Sequence, residues 1–501
     1  MNQSKANPIF RITFIFTLLI LLSCTENPVS QKPSGAQLSY RLNLKALHPD
    51  SLEIVLIAHN TGASEQRFIL PAHFFDNPTD SFTGSTVKNL TVTDNSGRTL
   101  ENKFTQEHFG PLSNQIFTVP PGTEYPVTFS YTYNPATIIQ SSSPFFPRMH
   151  LDSTALLMGS YLFIIPYLQN SLSGLWRTPI DIELTASSNQ SIEIYGLPHY
   201  SNYRNVYELL FTQLSAGAAP VFSGSTGKQA FNIVNLSEFN YSGLIVEQIA
   251  NGFSKVINDV QSRFGTIRSQ GTPYTVVLSE MAGALEGYNG FIALPPSPTE
   301  VNQEYFMVMA HELIHHYVGI RCGDLDDPWW KEGMTNYLGV VTSARLGLFS
   351  KEMTDNYLMK DSFNLEDYPV ALSSSQVREE HFSKGYSSLI YTKGMWVSML
   401  MDERIRKATD NRIILDDVIA TLCRQFDGTA FSRRGFMETV SSFGNADIND
   451  IFSSYVDKPD SPIPPSILLN AYSYLDSAGA FGNAKPVISA SPSKALTLKK
   501  F

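Results

Sequence analysis

"MVMAHELIHHYVGI", residues 307–320, places three histidines and one glutamate in an otherwise apolar run. Read as a helix, it sets His311 and His315 one turn apart, so both imidazoles project from one face and can reach a single ion. Glu312 is rotated about 100° from His311, beside such an ion rather than on it. A carboxylate there can take a proton from water. The competing reading is a buried amphipathic helix whose histidines are satisfied by hydrogen bonds. His316 falls off the ligand face and reads as structural, while Met307, Val308 and Leu313 read as packing positions. Upstream, Ser297 and Glu300 have capping-box spacing with Pro298 between them, which predicts a helix starting at 298.

A catalytic zinc wants three protein ligands and an open fourth position. The third candidate lies in "DDPWWKEGMTNYLGVV", residues 326–341, where Asp327 caps a predicted helix, Pro328 is its first residue and Glu332 falls in the second turn. Sixteen residues separate His315 from Glu332, enough for a turn and a return path. Alone, Glu332 also reads as an early-turn acid favoured by the helix dipole. Asn336, four residues further on the same face, is placed to support the ligand glutamate.

Around this motif the pattern divides. From about 38 to 185 it is β: "LEIVLIAHN" is a strand, "VKNLTVTDNSGRTLENKF" reads as two strands around Asn95-Ser96-Gly97, and "NQIFTVPPGTEYPVTFSYTY" as a further pair around Pro120-Pro121-Gly122. In residues 127–133, Val127, Phe129, Tyr131 and Tyr133 alternate with polar residues, the mark of a strand with one wet face. After Asn240 the period turns helical: residues 243–265 have three-and-four apolar spacing and stop at a glycine. A short strand, "PYTVVLSE", and the turn-rich "AGALEGYNG" precede the long helices that run to about Lys458. The expected architecture is α+β and multidomain, a β-sandwich-like N-terminal domain over 38–235 followed by a mainly helical catalytic domain over 236–460. A tail follows over 461–501.

The ends and the bulk composition bear on location and partners. Lys5 and Arg11 precede the apolar run Ile12–Leu22, which at about 16 Å is too short to span a bilayer and reads as an export signal over 1–23. Residues 24–37, polar and rich in Pro, Ser and Gly, suit a tether. A formal net charge of −10, with no basic run, argues against a nucleic-acid groove. Cys322 and Cys423, the two cysteines beyond Cys24, are too few for a disulfide framework, and their pairing stays open.

These residues carry two resemblances. "LLSC" at 21–24 resembles the lipobox of bacterial lipoproteins, which implies cleavage before Cys24, its acylation, and an exported protein lipid-anchored to the cell envelope. "HELIHHYVG" followed by "WWKEGMTNYLG" resembles the thermolysin-like zinc aminopeptidases whose third ligand is glutamate. The likeness is to the glycyl aminopeptidase family in particular and, more distantly, to aminopeptidase N and leukotriene A4 hydrolase, which usually have eighteen residues between histidine and glutamate. "GYSSLIYTKGMW" resembles the segment of these families in which a tyrosine precedes Lys-Gly. That implies Tyr391 as a donor to the reaction's oxyanion and Tyr386 as a pocket-lining residue. "AGALEGYNG" resembles the Gly-x-Met-Glu-Asn and Gly-Gly-Leu-Glu-His loops, which implies Glu286 as the carboxylate that pairs with a substrate's free α-ammonium. Gly287 departs from the usual Asn or His there. The PDZ domain common after the glycyl aminopeptidase catalytic part is not expected in this chain.

The resemblance implies one Zn2+ held by His311, His315 and Glu332, Glu312 as general base, a peptide as substrate, and removal of amino-terminal residues as the reaction. Two rivals stand beside it. One is an endopeptidase using the same zinc; the other is a non-catalytic surface lipoprotein that binds peptide or glycan and retains a vestigial site. Oligomeric state and side-chain preference are not legible.

Overall fold

The computed structural model describes residues 38–482 apart from 46–51, 60–65, 71–86, 102, 110–111, 134–154, 168–179, 189–193, 198–199, 218–219, 228, 238, 268–271, 280–283, 323–327, 360–369, 381–385, 388 and 460. The export signal, the tether, Cys24, Asp327 and the last nineteen residues lie outside the described residues. The β-rich half contains a six-stranded sheet in the order Tyr200–Tyr203, Ile182–Ser188, Leu38–Leu44, Leu52–Ala58, Val127–Tyr133, Val87–Thr93. Its pairs are antiparallel except Leu38–Leu44 with Ile182–Ser188. A four-stranded sheet (Phe104–Phe109, Leu112–Thr118, Arg67–Ile69, Ile165–Pro166) accompanies it. Phe68 and Phe117 from the second sheet meet Phe129 from the first, with ring centroids 4.7 and 5.4 Å away. Such offset and edge contacts suit aromatic quadrupoles. The buried hydroxyls of Tyr40 and Tyr131 donate to the carbonyls of Ile164 and Leu162, at 2.6 and 2.8 Å.

A five-stranded sheet joins the two halves, in the order Pro220–Thr226, Gln229–Asn235, Tyr274–Leu278, Gly290–Ala293, Leu285–Glu286. Alternation along its strands sends neighbouring side chains to opposite faces. Phe231, Ile233, Tyr274, Val276, Leu278, Phe291 and Ala293 face the helical core. Val234, Val277 and Ile292 face the β-rich core. A sheet covered on both sides reads as continuous apolar strands, as "YTVVL" does.

Against the helical face pack α1 (Gly243–Phe264) and α2 (Gln303–His315). Helix α1 matches its sequence signals: Ser242 caps it by accepting from the Ile245 N–H at 3.4 Å, and Gly265 ends it at φ 93°. Gly252 admits the close approach of α2, since a Cβ there would lie 1.9 Å from the Phe306 ring. Next come α3 (Pro328–Arg345), a π-helical turn (Leu389–Lys393) and α4 (Gly394–Ala408).

Three local expectations change. The helix carrying the histidines starts at Gln303, capped by Asn302, whose side chain accepts from the Tyr305 N–H at 2.9 Å; Ser297 and Glu300 form a small bridged turn instead. The Asn oxygen sits next to the apolar run and outcompetes the distant capping box. The strands flanking Pro120-Pro121-Gly122 do not pair with each other but enter different sheets. The strands Pro220–Thr226 and Gln229–Asn235 belong to the sheet of the helical half, so a boundary at 235 cuts that sheet. Their β pattern resembles what precedes them, and only the parallel pairing of Gln229–Asn235 with Tyr274–Leu278 reveals the partner.

Candidate active site

Helices α2 and α3 pack side by side and bring three donors together. The Nε2 atoms of His311 and His315 lie 2.9 Å apart. Glu332 Oε2 lies 3.5 Å from the first and 3.3 Å from the second. His315 Nδ1 faces the Val318 carbonyl at 3.1 Å and the Thr335 hydroxyl at 3.4 Å. The carbonyl can only accept, so the hydrogen bond assigns the proton to Nδ1 and leaves the Nε2 lone pair directed at the cluster. Two imidazole nitrogens and a carboxylate oxygen converging in a buried place are a donor set that fits zinc.

The electrostatics agree with a cation there. Burial, then the neighbouring His315, holds the His311 imidazole below its usual range, so it is neutral and able to ligate. Burial would raise the Glu332 carboxyl, but His315 and Lys331 hold it well below the ordinary value. Glu312 behaves oppositely: burial, then the charges of Glu286 and Glu332, push its carboxyl well up. Its Oε2 is buried, has no hydrogen-bond partner among the described residues, and lies beside the histidines.

Glu286 stands at the edge of the five-stranded sheet, paired across from Phe291. Its carboxylate, that of Glu312 and a ring nitrogen of His315 all lie within 4.8 Å of one another. Burial opposes its charge, but the Lys331 ammonium makes an ion pair with it and holds its carboxyl below the ordinary value. The same ammonium is 3.6 Å from Glu332 Oε1.

The loop carrying Glu286 is stitched to the β-rich half. Gln213 Nε2 donates to the Glu286 carbonyl at 3.1 Å, the Gln213 N–H donates to Asn289 Oδ1 at 2.9 Å, and Asn289 Nδ2 donates to the Gln213 carbonyl at 2.8 Å. This explains Gly287: a Cβ there would lie 2.5 Å from the Gln213 side-chain amide, so Gln213 fills the space that a larger residue would take. The Gln213 segment is in turn fixed by a charge pair whose carboxylate, Glu208, is buried. Arg204 pairs with Glu208 and meets Asp427 at 3.0 Å, and Asn205 Nδ2 donates to the Gly428 carbonyl at 3.0 Å.

Tyr391 sits in the π-helical turn, half-buried, its ring 6.1 Å from that of His311 and its hydroxyl within hydrogen-bond reach of Glu332. Burial, then the charges of Glu332 and Glu312, keep the phenol protonated, hence a donor. Two glycines put it there. A Cβ on Gly333 would lie 2.4 Å from the Gly394 Cα, so the helix after Glu332 and the helix after Tyr391 touch backbone to backbone. The "EG" and "KG" of the sequence are two sides of one contact.

The structure therefore gathers His311, His315, Glu332, Glu312, Tyr391 and Glu286 into one site. Tyr386 starts the turn that carries Tyr391, and its carbonyl accepts from the Ile390 N–H at 3.0 Å. Asn336 donates toward the Met395 sulfur at 3.8 Å rather than toward Glu332. The group beside a ligand is its neighbour Thr335, which sequence reasoning missed; one residue along a helix is 100° of rotation. Fully buried His316 packs among Tyr274, Tyr288 and Tyr317. Lys331 and Gln213 were also missed. Lys331 is visible only as a charge beside a ligand, and Gln213 gives no signal. Cys322 and Cys423 form a disulfide that ties the segment after His315 to the helix Leu415–Gln425.

Residues 288–455 match the Peptidase family M1 domain. No curated protein matches the chain in sequence. Among solved structures, an aminopeptidase N family protein from Idiomarina loihiensis aligns at a TM-score of 0.63 and 16% identity, over 86% of this chain and 78% of that one. An M1 zinc metallopeptidase from Deinococcus radiodurans aligns at 0.51 and 14% identity, over 86% and 95%. Aminopeptidase A from Legionella pneumophila, solved with aspartic acid, aligns at 0.53 and 14% identity, over 84% and 49%. The likeness in fold is thus to the M1 peptidases, a β-rich region followed by a helical one. With this match over residues 288–455 and the donor set of His311, His315 and Glu332, the protein is a zinc metallopeptidase with a single catalytic zinc.

Proposed function

We propose that this zinc metallopeptidase with an M1 domain is an aminopeptidase, removing residues from the free amino end of peptides. The observation that carries the reading is the place of Glu286: a buried carboxylate, held charged, a few ångströms from Glu312 and His315. A carboxylate there takes the α-ammonium of a peptide and so sets the distance from amino end to cleaved bond at one residue. When bound, zinc supplies Lewis acidity, acidifying water and polarising the scissile carbonyl. Glu312 takes the proton from the attacking water and returns it to the leaving amine. Its raised carboxyl pKa favours holding that proton between the two transfers. The Tyr391 phenol donates to the oxyanion of the tetrahedral intermediate, and Tyr386 lines the approach. A Deinococcus radiodurans M1 metallopeptidase mutant, 13% identical, was solved with the peptide Tyr-Ser-Ala, and a peptide is the substrate we assign here.

The test compares free and N-acetylated peptides in a panel of aminoacyl amides, with and without a zinc chelator. Cleavage confined to free amines, abolished by chelation and lost in Glu286→Ala, is the expected result. Efficient cleavage of blocked peptides points to an endopeptidase instead, and activity insensitive to chelation overturns the metal reading. We further propose that the protein is exported and held to the bacterial envelope by a lipid on Cys24. The lipobox likeness supports this, as does the Cys322–Cys423 disulfide, a bond that persists in oxidising compartments. Among the described residues no helix is long and apolar enough to cross a membrane. Cys24→Ser should move the protein from the membrane fraction to the soluble fraction.

A further inference from the structure

The carboxylate assigned to the substrate's ammonium already holds an ammonium. Lys331 Nζ pairs with Glu286 Oε1. Phe211, whose ring centroid is 5.4 Å from Nζ, covers it. Gly319 makes room for the stem, because a Cβ there would lie 3.0 Å from the lysine Cγ and Cε. Lys331 belongs to α3, whereas Glu286 belongs to the sheet edge, so the pair spans two separately built parts of the site.

We propose that Lys331 is a built-in competitor for the amino-terminal subsite: an incoming α-ammonium exchanges with the lysine ammonium on Glu286, and Lys331 thereby sets how tightly free amino termini are held. The inference rests on the aminopeptidase reading of Glu286. The exchange is feasible because Lys331 has a second carboxylate. Glu332 turns Oε2 to the two histidines and leaves Oε1 3.6 Å from Nζ, so a displaced lysine keeps an anionic partner. An ammonium left buried with no partner would oppose the exchange strongly. In the meantime the lysine neutralises one of three carboxylates, Glu286, Glu312 and Glu332, that otherwise crowd a low-dielectric space. A blocked amino terminus brings no charge to exchange and gains nothing from the subsite.

The test uses the full-length zinc-loaded protein, with alaninamide and N-acetyl-alaninamide as competitive probes and alanine 4-nitroanilide as substrate. For Lys331→Met, which keeps the stem and removes the charge, the alaninamide inhibition constant and the KM for the nitroanilide should fall about tenfold, the scale of one charge-assisted contact. The effect should appear in KM rather than kcat and leave N-acetyl-alaninamide unmoved. Lys331→Arg, which retains a cation, should not tighten alaninamide. Lys331→Gln serves if the methionine variant folds poorly. Unchanged or weaker alaninamide binding in the neutral variants overturns the proposal. The aminopeptidase reading fails on a different measurement, equal kcat/KM of the parent for free and N-acetylated peptides.

Discussion

The zinc cradle and the Glu286 loop have side-chain atoms within 4.8 Å of each other, yet they are held in different ways. The cradle is local: His311 and His315 are fixed by one helix, Glu332 by the next, and His315 by the carbonyl of Val318 in the turn that follows it. The loop is held from afar, by Gln213 across 73 positions of chain. A group that must not move relative to its partners is set by helix geometry. Glu286, which we propose measures the substrate, is set by contact between the β-rich and helical halves, with Lys331 as its link to the cradle.

Glu312→Gln probes the cradle alone. It should lower kcat by about 10²–10⁴-fold, the range of general acid–base catalysis, while zinc content stays at one per chain by elemental analysis. Parental kcat in that variant would move the base elsewhere. Removing the disulfide with Cys423→Ser should cost about 2–4 kcal/mol in denaturant unfolding, since a bond across 101 positions restrains the unfolded chain. If the cradle is as local as argued, the folded variant still binds zinc stoichiometrically.

Gly333→Ala tests the helix contact that delivers Tyr391. Its Cβ would lie 2.4 Å from the Gly394 Cα and 2.8 Å from the Ile390 carbonyl oxygen, so about 1–3 kcal/mol of stability and part of kcat should be lost together. Gly339→Ala, whose nearest contact is 3.3 Å, should cost less. Gln213→Ala removes one hydrogen bond to the Glu286 loop, about 1 kcal/mol, and should raise KM for free-amine peptides severalfold. Zinc content should not change. Zinc loss in that variant, measured by the same elemental analysis, would erase the distinction between the two regions.

Much of this was legible in residues. The four-residue spacing of His311 and His315 needs only helical geometry, and Pro328 opens α3 as its sequence signal predicts. Glu332 follows from the need for a third ligand on the next helix, Tyr391 and Glu286 follow from likeness to motifs, and the fold gathers all three. The capping box at Ser297 failed because Asn302 lies nearer the helix, and Asn336 failed as a partner of Glu332 because its amide meets Met395. The strands at 220–235 were assigned to the wrong side of a boundary because alternation reports a face, not which sheet will use it.

By itself the sequence determined a β-rich half preceding a helical one, and two histidines one turn apart with a glutamate beside them, because periodicity along the chain carries that information. The tertiary structure alone decided that Lys331 holds Glu286, that Gln213 makes Gly287 necessary, that Gly333 meets Gly394, and that Cys322 joins Cys423. Each is a contact between positions far apart in sequence, or in elements whose packing angle no local pattern specifies. The free energy that selects them is a property of the whole packed core.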